Sequence, residues 1–164
     1  MRIVTSSARK VPAGRLDRPS KSAKSKVRET KAVGTISPAT VLVVDDDPSV
    51  LRSLKRLLSA SGFHVKTFDG PSELLASETP LTNACMVVDI DLPEMTGIEM
   101  CDVLKGSGRD LPSILITGRT DAKTRSLATQ AYAVAVLFKP FEEEPLLEAI
   151  ARAIALSSRD RSDI

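Results

Sequence analysis

The chain has no tryptophan, one tyrosine and four phenylalanines, so aromatic residues make up only 3% of its 164 positions. Residues 1–38 hold none of them. That excludes nucleic-acid reading by base stacking from this segment. Histidine occurs once, at His64, and cysteine twice, at Cys85 and Cys101. No CxxC and no His pair is available for a metal site or a disulfide framework. Both cysteines read as buried apolar thiols of a reducing cytoplasm, one inside a strand and one on a helix. Nowhere does the chain approach the ~18 consecutive apolar residues that a membrane helix requires. Nothing after Arg2 forms an apolar h-region, so no secretory signal is expected.

Charge is present but unevenly distributed. The formal net charge of +2 sums two opposite parts. Residues 1–38 carry ten Lys/Arg against Asp17 and Glu29, a net of +8, and the remainder carries a net of −6. The basic segment lacks a sustained apolar period, cannot offset its ordering entropy, and is expected to be a disordered tail. Contact with nucleic acid or another anionic surface through these charges would be weak, non-specific and salt-dependent. The segment is also Arg/Ser-rich and acid-poor, as organellar transit peptides are, but no amphipathic helical period accompanies it.

From residue 39 the pattern changes to short apolar runs alternating with helical periods, five times over. Strands are predicted at 41–45, 63–68, 84–89, 113–117 and 134–138, and helices from Asp47–Pro48 to Gly62, over 72–77, 97–104, 121–131 and 142–156. Asp47 suits an N-cap with Pro48 at the first helical position, and Gly62 suits the residue just past the helix end. Strands one, three, four and five are apolar throughout, as strands covered on both faces are. Strand two carries His64 and Lys66 and suits a sheet edge. Five βα units fit a flavodoxin-like, doubly wound parallel α/β sheet of order 2-1-3-4-5. The expected organisation is a basic tail over 1–38, one domain over 39–157, and a short tail over 158–164.

The strand ends carry the chemistry. Val41–Val44 runs into Asp45-Asp46-Asp47, and Val87-Val88 ends in Asp89, followed by Ile90-Asp91-Leu92-Pro93 and Gly97. Ser113–Ile116 ends in Thr117, and Val134–Phe138 ends in Lys139-Pro140-Phe141. In an open α/β sheet, ligands bind outside the carboxyl ends of the strands, at the point where strand order reverses. Strands one and three flank that point in the order 2-1-3-4-5. At least three carboxylates would then share one crevice, a costly arrangement without a cation, and few all-oxygen ligands suit Mg²⁺.

This set, in this order, resembles the receiver domain of two-component response regulators across roughly residues 40–156. The resemblance implies that Asp89 is the phosphoacceptor, with Thr117 and Lys139 meeting the phosphoryl oxygens. It also implies that Asp46 ligates Mg²⁺ directly, Asp45 through a bound water, Asp89 by its carboxylate and Asp91 by its backbone carbonyl. A cis Lys139–Pro140 bond would aim the ammonium into the crevice. The implied activity is Mg²⁺-dependent self-phosphorylation and slow self-dephosphorylation, without other enzyme activity. The implied partners are a histidine kinase or phosphotransfer protein and a downstream protein, in the cytoplasm. With only eight residues after Leu156, a stand-alone receiver without a C-terminal output domain is expected.

Two positions depart from the family pattern. The aromatic residue usual three before the lysine is replaced by Val136, and Tyr132 stands where glycine is common at the end of the fourth helix. The usual readout face of helix four, strand five and helix five is thereby in question, with another surface or Tyr132 as substitutes. The missing aromatic favours a degenerate receiver that only docks a partner, and the complete acidic set opposes it. Asp89-Ile90-Asp91 also matches the opening of haloacid-dehalogenase-type phosphatases. Those enzymes place the motif on their first strand, usually with Thr or Val where this chain has Pro93.

Overall fold

The computed structural model describes residues 37–159. Five strands alternate with five helices: β1 Thr40–Val44, α1 Pro48–Ala60, β2 His64–Phe68, α2 Pro71–Ala76, β3 Ala84–Asp89, α3 Gly97–Gly106, β4 Ser113–Thr117, α4 Ala122–Gln130, β5 Ala135–Phe138 and α5 Glu143–Arg159. All pairings are parallel, and the sheet order is 2-1-3-4-5. Most of the basic segment assigned to 1–38 lies outside the described residues. Helix α5 reaches Arg159, so 158 and 159 are helical rather than part of a terminal tail.

Side-chain alternation along the strands divides the apolar residues between two layers. Val41, Val43, Cys85, Val87, Ile114 and Ile116 pack with α1 and α5. Leu42, Val44, Met86, Val88 and Leu115 face the other way, against residues of α2, α3 and α4. Period 2 in the strands and apolar stripes on the helices produce this division. Each fully buried Leu or Ile in these layers contributes about 1.5–3 kcal/mol relative to exposure. β1, β3 and β4 are buried almost throughout. β5, read from its apolar run as covered on both faces, is only half-buried along its length. It lies at the sheet edge opposite β2, and among the described residues one flank has no neighbouring strand.

Local signals account for most element ends. The Asp47 carboxylate caps α1 by accepting from Ser49 N–H, Pro48 occupies the first turn, and Gly62 follows the helix at φ +91°. That left-handed conformation is inexpensive only without a Cβ. A Thr96–Glu99 capping box starts α3. Asp121, predicted inside the fourth helix, is instead its N-cap and accepts from Thr124 N–H.

Candidate functional site

Sheet register assembles the crevice. Val44 pairs with Val88, so Asp45 and Asp89 emerge side by side where β1 and β3 end. Thr117 pairs with Phe138 at the ends of β4 and β5, and Lys139 follows at once. The Lys139–Pro140 peptide is cis. Asp45, Asp89 and Thr117 are all buried, whereas Asp46 is exposed at the mouth. The four predicted strand ends therefore do meet in one place.

Lys139 holds two of the carboxylates together. Its Nζ lies 2.8 Å from Asp45 Oδ2 and 3.4 Å from Asp89 Oδ2, so it bridges both acids and Asp45 is the closer partner. Asp45 Oδ1 also accepts from Asp47 N–H at 2.8 Å, and Asp89 Oδ1 from Asp91 N–H at 3.3 Å. Burial pushes the Asp89 pKa above its ordinary 3.8, opposed by the Lys139 charge and the Asp91 N–H and assisted by the Asp45 charge. Burial by itself would depress Lys139. The hydrogen bond to Asp45 and the charges of Asp89 and Asp45 outweigh it, and the lysine pKa rises above 10.5. The result is an anionic crevice with a pinned cation on one wall.

Carboxylate oxygens of Asp45, Asp46 and Asp89 all lie within 4.8 Å of one another. Three hard oxygen donors at this spacing, two buried and one exposed, fit a hard divalent cation with positions left for water or substrate oxygens. Lys139 neutralises only one of these charges, which leaves a surplus for a metal to offset.

Asp91, expected to serve through its backbone carbonyl, has a side chain with its own partners. Its Oδ2 accepts the Thr117 hydroxyl at 2.8 Å, and Arg119 Nη1 lies 3.8 Å from its Oδ1. Arg119 also donates from Nε to Asp121, the α4 cap, at 3.0 Å. Arg119 is not legible in the sequence, since one arginine in a polar loop carries no signal until the fold places carboxylates on both sides of it. Val136 is half-buried on β5, beside Leu115 of β4. Tyr132 is 94% exposed, with Lys105 Nζ 4.5 Å from its ring centroid. It lies before β5 begins, at the opposite end of the strand from Lys139, and does not fill the space at Thr117. Cys85 is buried with its thiol pushed up to about 12. Cys101, expected to be buried, is only partly so, and its Sγ sits 3.5 Å from Ser113 Oγ.

Among the described residues no helix is long and apolar enough to cross a membrane. The family model for the response regulator receiver domain matches residues 41–151. Response regulator protein TodT of Pseudomonas putida is 34% identical over 125 residues, covering 76% of this chain and 55% of that protein. Transcriptional regulatory protein FixJ of Rhizobium meliloti is 38% identical over 114 residues, covering 70% and 56% respectively. The chain thus spans about half the length of the curated relatives it matches. The crystal structure of FixJ-N superposes with a TM-score of 0.66 at 37% identity, over 71% of this chain and 94% of that one.

Proposed function

The chain belongs to the response regulator receiver family of two-component systems, and we propose that it accepts a phosphoryl group on Asp89 from a histidine kinase or phosphotransfer protein. The observation that carries this reading is the placement of Asp89: a buried carboxylate 3.4 Å from the Lys139 ammonium and within 4.8 Å of the Asp45 and Asp46 carboxylates. One Asp89 oxygen forms the new bond to phosphorus while the bond from phosphorus to the donor's imidazole nitrogen breaks and its electron pair stays on that nitrogen. No proton leaves Asp89, because the attacking group is already a carboxylate, and the neighbouring charges mainly need to be offset for an anion to approach. Lys139 supplies one such charge and meets a phosphoryl oxygen, and the Thr117 hydroxyl donates to another. Mg²⁺ held by the Asp46 and Asp89 carboxylates, the Asp91 carbonyl and, through a bound water, Asp45 would neutralise the rest of the developing charge when bound.

The product is an aspartyl-phosphate that carries about −1.5 to −2 charges where the carboxylate carried one, read by a downstream protein in the cytoplasm. Self-phosphorylation and slow self-dephosphorylation complete the activity. The basic segment over 1–38 adds at most a non-specific attraction to nucleic acid. With Mg²⁺ and acetyl phosphate, the chain should gain one acid-stable, base-labile phosphoryl group. Asp89→Asn should abolish the labelling, since an amide is a poor nucleophile, and Asp46→Ala should sharply weaken Mg²⁺ affinity. Undiminished labelling of the Asp89 variant would overturn the reading.

A further inference from the structure

Thr117 is fully buried and has a single hydroxyl hydrogen. That hydrogen is committed: the hydroxyl donates to Asp91 Oδ2 at 2.8 Å, and its oxygen accepts Arg119 N–H at 3.0 Å. The same hydroxyl therefore cannot donate to a group on Asp89 without first letting go of Asp91. Both acceptors are anionic, so the exchange swaps one charge-assisted hydrogen bond for another and gains little. The Arg119 guanidinium lies 3.8 Å from Asp91, and its side chain is 62% exposed, so this pair adds little to the grip.

We propose that the Asp91 carboxylate is a positioning residue that catches the Thr117 hydroxyl in the resting chain and competes with the phosphoryl group for it. The catch sets how far Thr117 engagement favours the modified state. It gives this chain a two-state element beside the phosphoacceptor that does not depend on an aromatic ring at Val136. The backbone of Asp91 is untouched by this role, so the side chain is free to act as a competitor. The inference rests on the phosphoacceptor reading of Asp89.

Beryllofluoride, a phosphoryl mimic, is the probe, titrated into the full chain at saturating Mg²⁺ with Mg²⁺ affinity measured separately. Asp91→Ala removes the competing acceptor and should tighten beryllofluoride binding about three- to tenfold, the upper figure equal to about 1.4 kcal/mol. Loss of a nearby negative charge would also tighten binding of an anion, and Asp91→Asn separates the two effects. It removes the charge but keeps an oxygen that can accept from Thr117, so it should bind the mimic measurably more weakly than Asp91→Ala. Asparagine and alanine variants of equal affinity would show charge alone at work and overturn the catch. A double-mutant cycle with Thr117→Val gives the second reading. The Asp91→Ala gain should largely vanish in that background, and effects that simply multiply, within the roughly twofold scatter of independent sites, would overturn the catch. Wild-type protein that fails to bind beryllofluoride would overturn the phosphoacceptor reading together with the catch. Binding without coupling would overturn the catch alone.

Discussion

Lys139→Ala puts the electrostatics of the crevice to the most direct test. The ammonium lies 2.8 Å from Asp45 and 3.4 Å from Asp89, and Asp45 has no solvent access at all. Deleting one partner of a fully buried ion pair costs about 3–5 kcal/mol, because the remaining charge is left desolvated. Two features reduce that figure here. The lysine side chain is 26% exposed, and Asp45 keeps the Asp47 N–H. The expected loss is then about 2 kcal/mol, or roughly an 8 °C fall in Tm for a domain of this size. The pH dependence follows from the sign of each shift. Lys139 is raised above 10.5, so its stabilisation is complete below that value and lost as pH rises through the raised one. Wild type should therefore show a destabilisation at alkaline pH that the variant lacks. Asp89 is already raised above 3.8 by burial, and without the lysine charge it should take up its proton at a higher pH still. The deficit in Tm should accordingly shrink as the pH is lowered from neutral toward the range in which Asp89 takes up its proton, and again on adding Mg²⁺ at the higher pH. Thermal unfolding followed by circular dichroism, with and without Mg²⁺ at neutral and at lower pH, measures all of this. Equal Tm values at the higher pH without Mg²⁺ would refute the reasoning, as would a deficit indifferent to both pH and metal.

Asp89→Asn should raise Tm in the absence of Mg²⁺. An acid whose native pKa is raised binds its proton more tightly in the folded state, so the ionised form costs stability above that pKa, and a neutral amide removes the cost. Lys139 keeps its shorter bond to Asp45 in this variant. Calorimetry at neutral pH giving a lower Tm would contradict this. Gly97→Ala should destabilise by about 2–3 kcal/mol in urea unfolding. A Cβ there would collide with the Asp89 carbonyl oxygen and meet Val88 Cγ1 at 2.7 Å, and the first of these is backbone that cannot rotate away. A loss under about 0.5 kcal/mol would show that α3 can slide off the end of β3.

The strand ends were legible because burial makes them so. A run such as Val41–Val44 or Ala84–Val88, covered on both faces, tolerates no charge, so the first carboxylate after it marks the place where the strand leaves the core. The caps were local as well: Asp47, Pro48 and Gly62 act within a few residues of the helix ends they shape. Five such βα units constrain the topology, since parallel neighbours need a crossover and short connections leave few arrangements. The order 2-1-3-4-5 and the meeting of Asp45, Asp46, Asp89, Thr117 and Lys139 followed from these signals and from the family resemblance.

The pairing inside the crevice was another matter. Lys139 and Asp45 are 94 positions apart, and Thr117 and Asp91 are 26 apart. Nothing in the composition of either neighbourhood says which of several nearby carboxylates each will choose. Those choices depend on how β1, β3 and β5 end relative to one another, and on which Asp91 oxygen faces the buried hydroxyl. The half-burial of β5 was likewise hidden, because an apolar run reads the same at the edge of a sheet as at its centre. By itself the sequence determined which strand ends carry the carboxylates, the hydroxyl and the lysine, because exclusion of charge from a buried strand is a local rule. Only the tertiary structure decided which acceptor holds each donor there, because hydrogen bonds between distant residues exist only once the sheet register has brought them within reach.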